Sequence, residues 1–179
     1  MINKIKANYH THIFLCKHAI GDVEDYVKKA IGLQYHTIAI TDHGPLPKFL
    51  QKKLNSRRMS IEQYKEIYLD SLARAKQLHK QEILVLSEIE YMDELHSQYP
   101  IFLSELDFLV LGQHYIKVNN EYKSIYSSLS EDEIKIYGNT VIEAMRSGYF
   151  KILAHPEIFA WNIKDWNQTC IEVSNKIID

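Results

Sequence analysis

His10-Thr11-His12 puts two imidazoles two residues apart, on one side of an extended chain, where both can reach one cation. Alone, such a pair also arises by chance on a surface or in a core. Asp42-His43 pairs another imidazole with a carboxylate able to fix the tautomer and orientation of a ligand ring; an aspartate that merely starts a turn reads the same way. Glu88 ends an apolar run, where an unpaired carboxylate is costly. Its two oxygens can bridge two cations, and Glu90, of equal parity, competes for that role. His114 and His155 each close a further apolar run. Any one of these residues has an ordinary structural explanation; five successive run-ends carrying His or Glu do not. Histidine-rich donor sets with one carboxylate suit Zn, Fe or Mn better than Ca or Mg.

These residues depend on the elements that deliver them. Residues 5–11 read as a first strand, and Asp22 as the cap of a helix through Val23, Tyr26, Val27, Ala30 and Ile31. Thr37–Thr41 is β-branched and apolar, and stops at Asp42-His43-Gly44-Pro45. Ser60 with Gln63 and Ser130 with Glu133 form capping boxes. The first opens a helix striped by Ile61, Tyr64, Tyr68, Leu72, Ala75 and Leu78. The second opens one carrying Ile134, Tyr137, Val141 and Met145, ended by Gly148. Ile83–Leu86, Phe108–Leu111 and Phe150–Ala154 read as strands, and about Thr169 to Ile178 as a last helix. Strands alternating with helices predict an α/β fold with a parallel sheet. The metal-capable residues fall at the C-terminal ends of the strands, the rim where (β/α) barrels build active sites.

Composition narrows the function. The formal charge is -2, and 46% of residues are hydrophobic, which fits one globular domain and offers no basic excess for nucleic acid. No run approaches the ~20 apolar residues of a membrane span, and the start, MINKIKANYH, lacks an export signal. Cys16 and Cys170 form no disulfide framework, so a cytoplasmic setting is expected.

The segments HTHIFLCKHAIG, TDHGPL, LSEIEY, LGQHYI and LAHPE resemble the polymerase-and-histidinol-phosphatase (PHP) superfamily, most closely its histidinol-phosphatase branch. The resemblance runs from Tyr9 to Glu157. It implies a distorted (β/α)7 TIM-like barrel with two to three divalent metal ions. His10, His12 and Glu88 match ligands of a first ion. Glu88, His114 and His155 match those of a second, with Glu88 bridging. His18 and His43 match those of a third, and with Glu88 they are the candidate catalytic residues. The family's late Gly-Ser-Asp-Ala-His-like motif is absent and about five strands are visible. The expectation is therefore a single PHP domain over 1–179, incomplete at its C-terminus, whose open edges could pair with another copy. Ser87 stands where the family usually has Gly.

The implied reaction is in-line attack of hydroxide on a phosphate monoester, releasing alcohol and phosphate. The leading expectation is hydrolysis of L-histidinol phosphate in histidine biosynthesis. The competitors are another ester, such as phosphotyrosine or a nucleotide, and an inactive metal-binding remnant or partner subunit. A small phosphorylated substrate is expected, with no nucleic-acid or membrane partner. Asp42, Lys17, Arg57, Arg58 and Tyr115 are weaker second-rank or substrate candidates. Tyr115, Tyr122 and Tyr126 could line a substrate cleft, and core packing or loop anchoring explains them equally well; Cys16 could bind metal but reads better as a buried small hydrophobe. His36, His79 and His96 read as surface residues.

Overall fold

The computed structural model describes residues 6–80 and 82–179, in two units: Met1–Glu88 with Leu106–Phe108, and Ile89–Glu105 with Leu109–Asp179. The first holds β1 (Ala7–Asn8), a 3-10 turn at Phe14–Cys16, α1 (Val23–Gly32), β2 (Thr37–Ile40) and α2 (Lys48–Lys53). It continues through α3 (Ile61–Gln63) and π-helical turns at Tyr64–Leu69 into α4 (Asp70–Leu78), and then β3 (Glu82–Ile89). Asp22 caps α1 as predicted, accepting from the Asp25 backbone while Asp25 returns the bond.

The strands pair in parallel, β1 on β2 from Ala7 opposite Thr37, and β2 on β3 up to Ile40 opposite Val85. β1 is shorter than expected. The Asn8 side chain captures the His10 backbone N–H (3.0 Å), which removes that donor from the ladder. Ile5, part of the predicted strand, lies outside the described residues.

The β2–β3 ladder opens beyond Ile40 and closes again where His43 bridges Glu88. The hydroxyl of Tyr68, a fully buried residue of the π-helical turns, fills that opening. It lies 2.8 Å from the Ile40 carbonyl and also against the Leu86 carbonyl. π-helical turns recur at functional sites, and here they bring a phenol to the ends of two strands. Tyr68→Phe should cost about 1–3 kcal/mol, because buried carbonyls lose their donor. A lower urea midpoint is the expected result; an unchanged one would mean that the hydroxyl does not hold the strands.

The second unit holds α5 (Tyr99–Glu105), β4 (Phe108–Leu111), β5 (Tyr115–Val118), β6 (Glu121–Ser124), α6 (Glu131–Arg146), β7 (Phe150–Leu153) and α7 (Gln168–Ile178). β4 and β7 pair in parallel. β5 and β6 form an antiparallel hairpin through Asn119 and Asn120, both at positive φ. α6 packs on α7 at Gly138, where an added Cβ would meet Val173 Cγ1 at 2.7 Å. Among the described residues both cysteines are buried and free, and no helix is long and apolar enough to cross a membrane.

Candidate metal centre

In the first unit the chain past β1 meets the ends of β2 and β3. Thr11 and Thr41 tie the first two together, Thr41 N–H donating to the Thr11 carbonyl (2.8 Å) and Thr11 N–H to Thr41 Oγ1 (2.9 Å). Glu88 is pinned on both sides: its N–H donates to the Asp42 carbonyl (3.1 Å), and its carbonyl accepts from Gly44 N–H (2.8 Å). Ser87, where the related pattern has Gly, also donates its hydroxyl to the Asp42 carbonyl (2.9 Å).

Three donor atoms converge on this scaffold. His10 Nε2 and His12 Nε2 are 2.9 Å apart, and Glu88 Oε2 lies 3.1 Å from the first and 3.2 Å from the second. Ligands held at about 2.0–2.1 Å from one divalent ion stand about 2.9 Å apart at right angles and about 3.3 Å apart at the tetrahedral angle. The triangle therefore has the edges of a metal site. The His43 ring lies 4.7 Å from that of His12, with Nδ1 3.6 Å from Glu88 Oε2. His18 lies 4.9 Å from the His12 ring and 5.2 Å from that of His43. His12, Cys16 and His18 form a second grouping of possible donor atoms.

Asp42 is fully buried and orients the cluster. Its Oδ1 accepts from His12 Nδ1 (3.3 Å) and from the His43 backbone N–H (3.0 Å). A proton on His12 Nδ1 leaves the lone pair on Nε2, which faces His10 and Glu88. The ring that Asp42 orients is thus His12 rather than its sequence neighbour. Burial holds the Cys16 thiol above its ordinary range, partly countered by the His18 and Ala19 backbone, and the Asp42 carboxylate adds to the rise.

Burial alone would push the His12 imidazolium down, but hydrogen bonds and charge from Asp42 and Glu88 outweigh it and hold the pKa up to about 9, against 6.5 ordinarily. A group raised on folding stabilises the fold fully below its unfolded pKa and loses that contribution as pH rises through the folded value. Chelator-treated protein should therefore lose stability to urea between pH 6.5 and 9. An ion must displace this proton, so Zn affinity should rise across the same window, by up to about tenfold per pH unit. Zn titrations at pH 7 and 8.5 check this; a flat profile contradicts it.

The second unit repeats the device. Glu90, fully buried, grips His114 twice, accepting from its backbone N–H and from ring Nδ1, each at 2.7 Å. That places the His114 lone pair on Nε2. The His155 ring stands 5.0 Å from that of His114, tilted by 61°. His155 sits at φ +33, a region few non-glycine residues adopt, and such strain concentrates at functional sites. Glu90, read only as a rival to Glu88, thus has a role of its own; its clue was equal parity at a strand end.

Lys17 is exposed, at φ +67 after the 3-10 turn. Arg57 and Arg58 occupy the loop before α3, where Arg58 is tied through its backbone to Gln51 and Ser56. Tyr115 lines a polar cavity of about 170 Å³ with Tyr91, Lys117, Tyr122 and Glu143.

Comparison with known proteins adds three findings. The PHP domain family model matches residues 8–178. A proposed histidinol phosphatase of Listeria monocytogenes superposes with a TM-score of 0.76 at 19% identity, over 97% of this chain and 77% of that one. The histidinol phosphate phosphatase of Lactococcus lactis, solved with Zn, L-histidinol and phosphate, gives 0.68 at 16% identity, over 97% and 68%. No curated protein sequence matches. The shared fold is the one expected: α/β, with five parallel strands among the described residues, an incomplete PHP-type barrel.

Proposed function

The chain belongs to the PHP domain family, and on that premise we propose that it is a metal-dependent phosphomonoesterase that converts L-histidinol phosphate and water to L-histidinol and phosphate, in histidine biosynthesis. The observation that carries this reading is the convergence of His10 Nε2, His12 Nε2 and Glu88 Oε2. Support for the substrate comes from the two structural relatives, of which the Lactococcus lactis enzyme was solved with Zn, L-histidinol and phosphate.

His10, His12 and Glu88 would hold one of two to three ions, Zn, Fe or Mn; His18 and His43 would serve another, and His114 and His155 a further one. When bound, such ions supply Lewis acidity, which offsets phosphoryl charge and makes hydroxide accessible near neutral pH. The chain itself contributes orientation. Asp42 and Glu90 each keep a proton on Nδ1 of a ligand histidine, so that Nε2 is the donor atom. His43 and His18 are the candidates to bind phosphate or to protonate the departing alcohol oxygen.

Phosphate release from L-histidinol phosphate, compared with tyrosine phosphate and a nucleotide, tests the substrate. A clear preference for histidinol phosphate is expected. A preference for another ester would reject this substrate while leaving the chemistry in place.

A further inference from the structure

Two aromatic side chains of the second unit stand at the histidine pair with much of their surface in solvent. The Tyr126 ring lies 6.0 Å from that of His114, and Trp161 meets Tyr126 edge-to-face at 5.3 Å. Tyr126 is 44% exposed and Trp161 67%. Neither position is incidental to the backbone. The Asn162 amide donates to the Tyr126 carbonyl, joining the two loops. Trp161 is reached from His155 by successive turns, Ile158 N–H to the His155 carbonyl (3.0 Å) and Trp161 N–H to the Ile158 carbonyl (3.1 Å). The chain that delivers a candidate ligand thus also fixes the indole, and the Tyr126 loop follows the hairpin that begins beside His114.

Paired aromatic rings beside a polar site offer a large, amphipathic contact face, apolar on the ring and wet at its polar edge. We propose that Tyr126 and Trp161 form a specificity wall at the His114–His155 pair, receiving the alcohol portion of the ester, and that they select alcohols bearing a flat aromatic or cationic ring. This rests on the phosphatase reading above. A planar ring, such as an imidazole, can stack on or edge against the wall, and its protonated form gains further from the indole face. An aliphatic alcohol gains neither.

The test uses Zn-loaded protein and two esters, L-histidinol phosphate and glycerol 2-phosphate. Trp161→Ala should raise KM for the first about fivefold, the worth of one aromatic contact, with kcat unchanged and the second ester unaffected. Trp166→Ala is the control, since that ring packs on Phe159 at 5.7 Å. Equal effects on both esters, or none, would overturn the wall. A second measurement stands apart from turnover: with Trp166→Phe as background, L-histidinol plus phosphate should quench the Trp161 emission. Turnover without quenching overturns the wall and spares the phosphatase; quenching without turnover keeps the wall and rejects the phosphatase.

Discussion

Glu88→Gln should abolish most metal binding at the His10–His12 pair and lower kcat/KM by more than about 100-fold, the upper end of what losing a mere orienting partner costs. The substitution preserves shape. The backbone bonds that pin residue 88 to Asp42 and Gly44 do not involve the side chain, so the protein should fold. What disappears is the negative charge and one oxygen lone pair at the centre of three imidazoles, 3.1 to 3.6 Å away. An amide in that place is a far weaker donor to a divalent ion. The variant also removes one of the two carboxylates that hold His12 up at about 9, so the pH window of metal-free stability should move down. Competition with a chromophoric Zn chelator reads affinity, and phosphate release reads turnover. Parental values in both would remove Glu88 from the site.

Stripping the metal should be equally severe. A chelator should end ester hydrolysis, and added Zn or Mn should restore it. Ions present at a hundredfold excess over Kd stabilise a fold by about 2.7 kcal/mol, which for a chain of this size corresponds to about 5–10 °C in Tm. Chelation should lower Tm by that amount. Full activity in the chelator, with unchanged Tm, would contradict a metal mechanism altogether.

Much of the candidate site was legible because strand ends are written locally. Thr37–Ile40 must be buried, and Gly44-Pro45 must end it, so His43 falls at a rim. The parity rule placed His10 and His12 side by side even though only Ala7–Asn8 pairs as strand. The capped helices followed from Asp22, Ser60 and Ser130.

What was missed depends on contacts distant in sequence. Glu90 reaches His114 across 24 positions and Asp42 reaches His12 across 30, and no local pattern pairs either carboxylate with its histidine. The β5–β6 hairpin had a signal in Asn119-Asn120, which the nearby tyrosines obscured. The π-helical turns look like ordinary helix in periodicity. Tyr64, Tyr68, Leu72 and Ala75 are buried as the stripe requires, while Leu78 at its end is 67% exposed.

The most direct measurement is X-ray diffraction at the Zn edge on crystals of the Zn-loaded protein. An anomalous peak about 2.0–2.2 Å from His10 Nε2, His12 Nε2 and a Glu88 oxygen is the predicted result. Zn bound only elsewhere, or these three side chains turned away from a common centre, would contradict it.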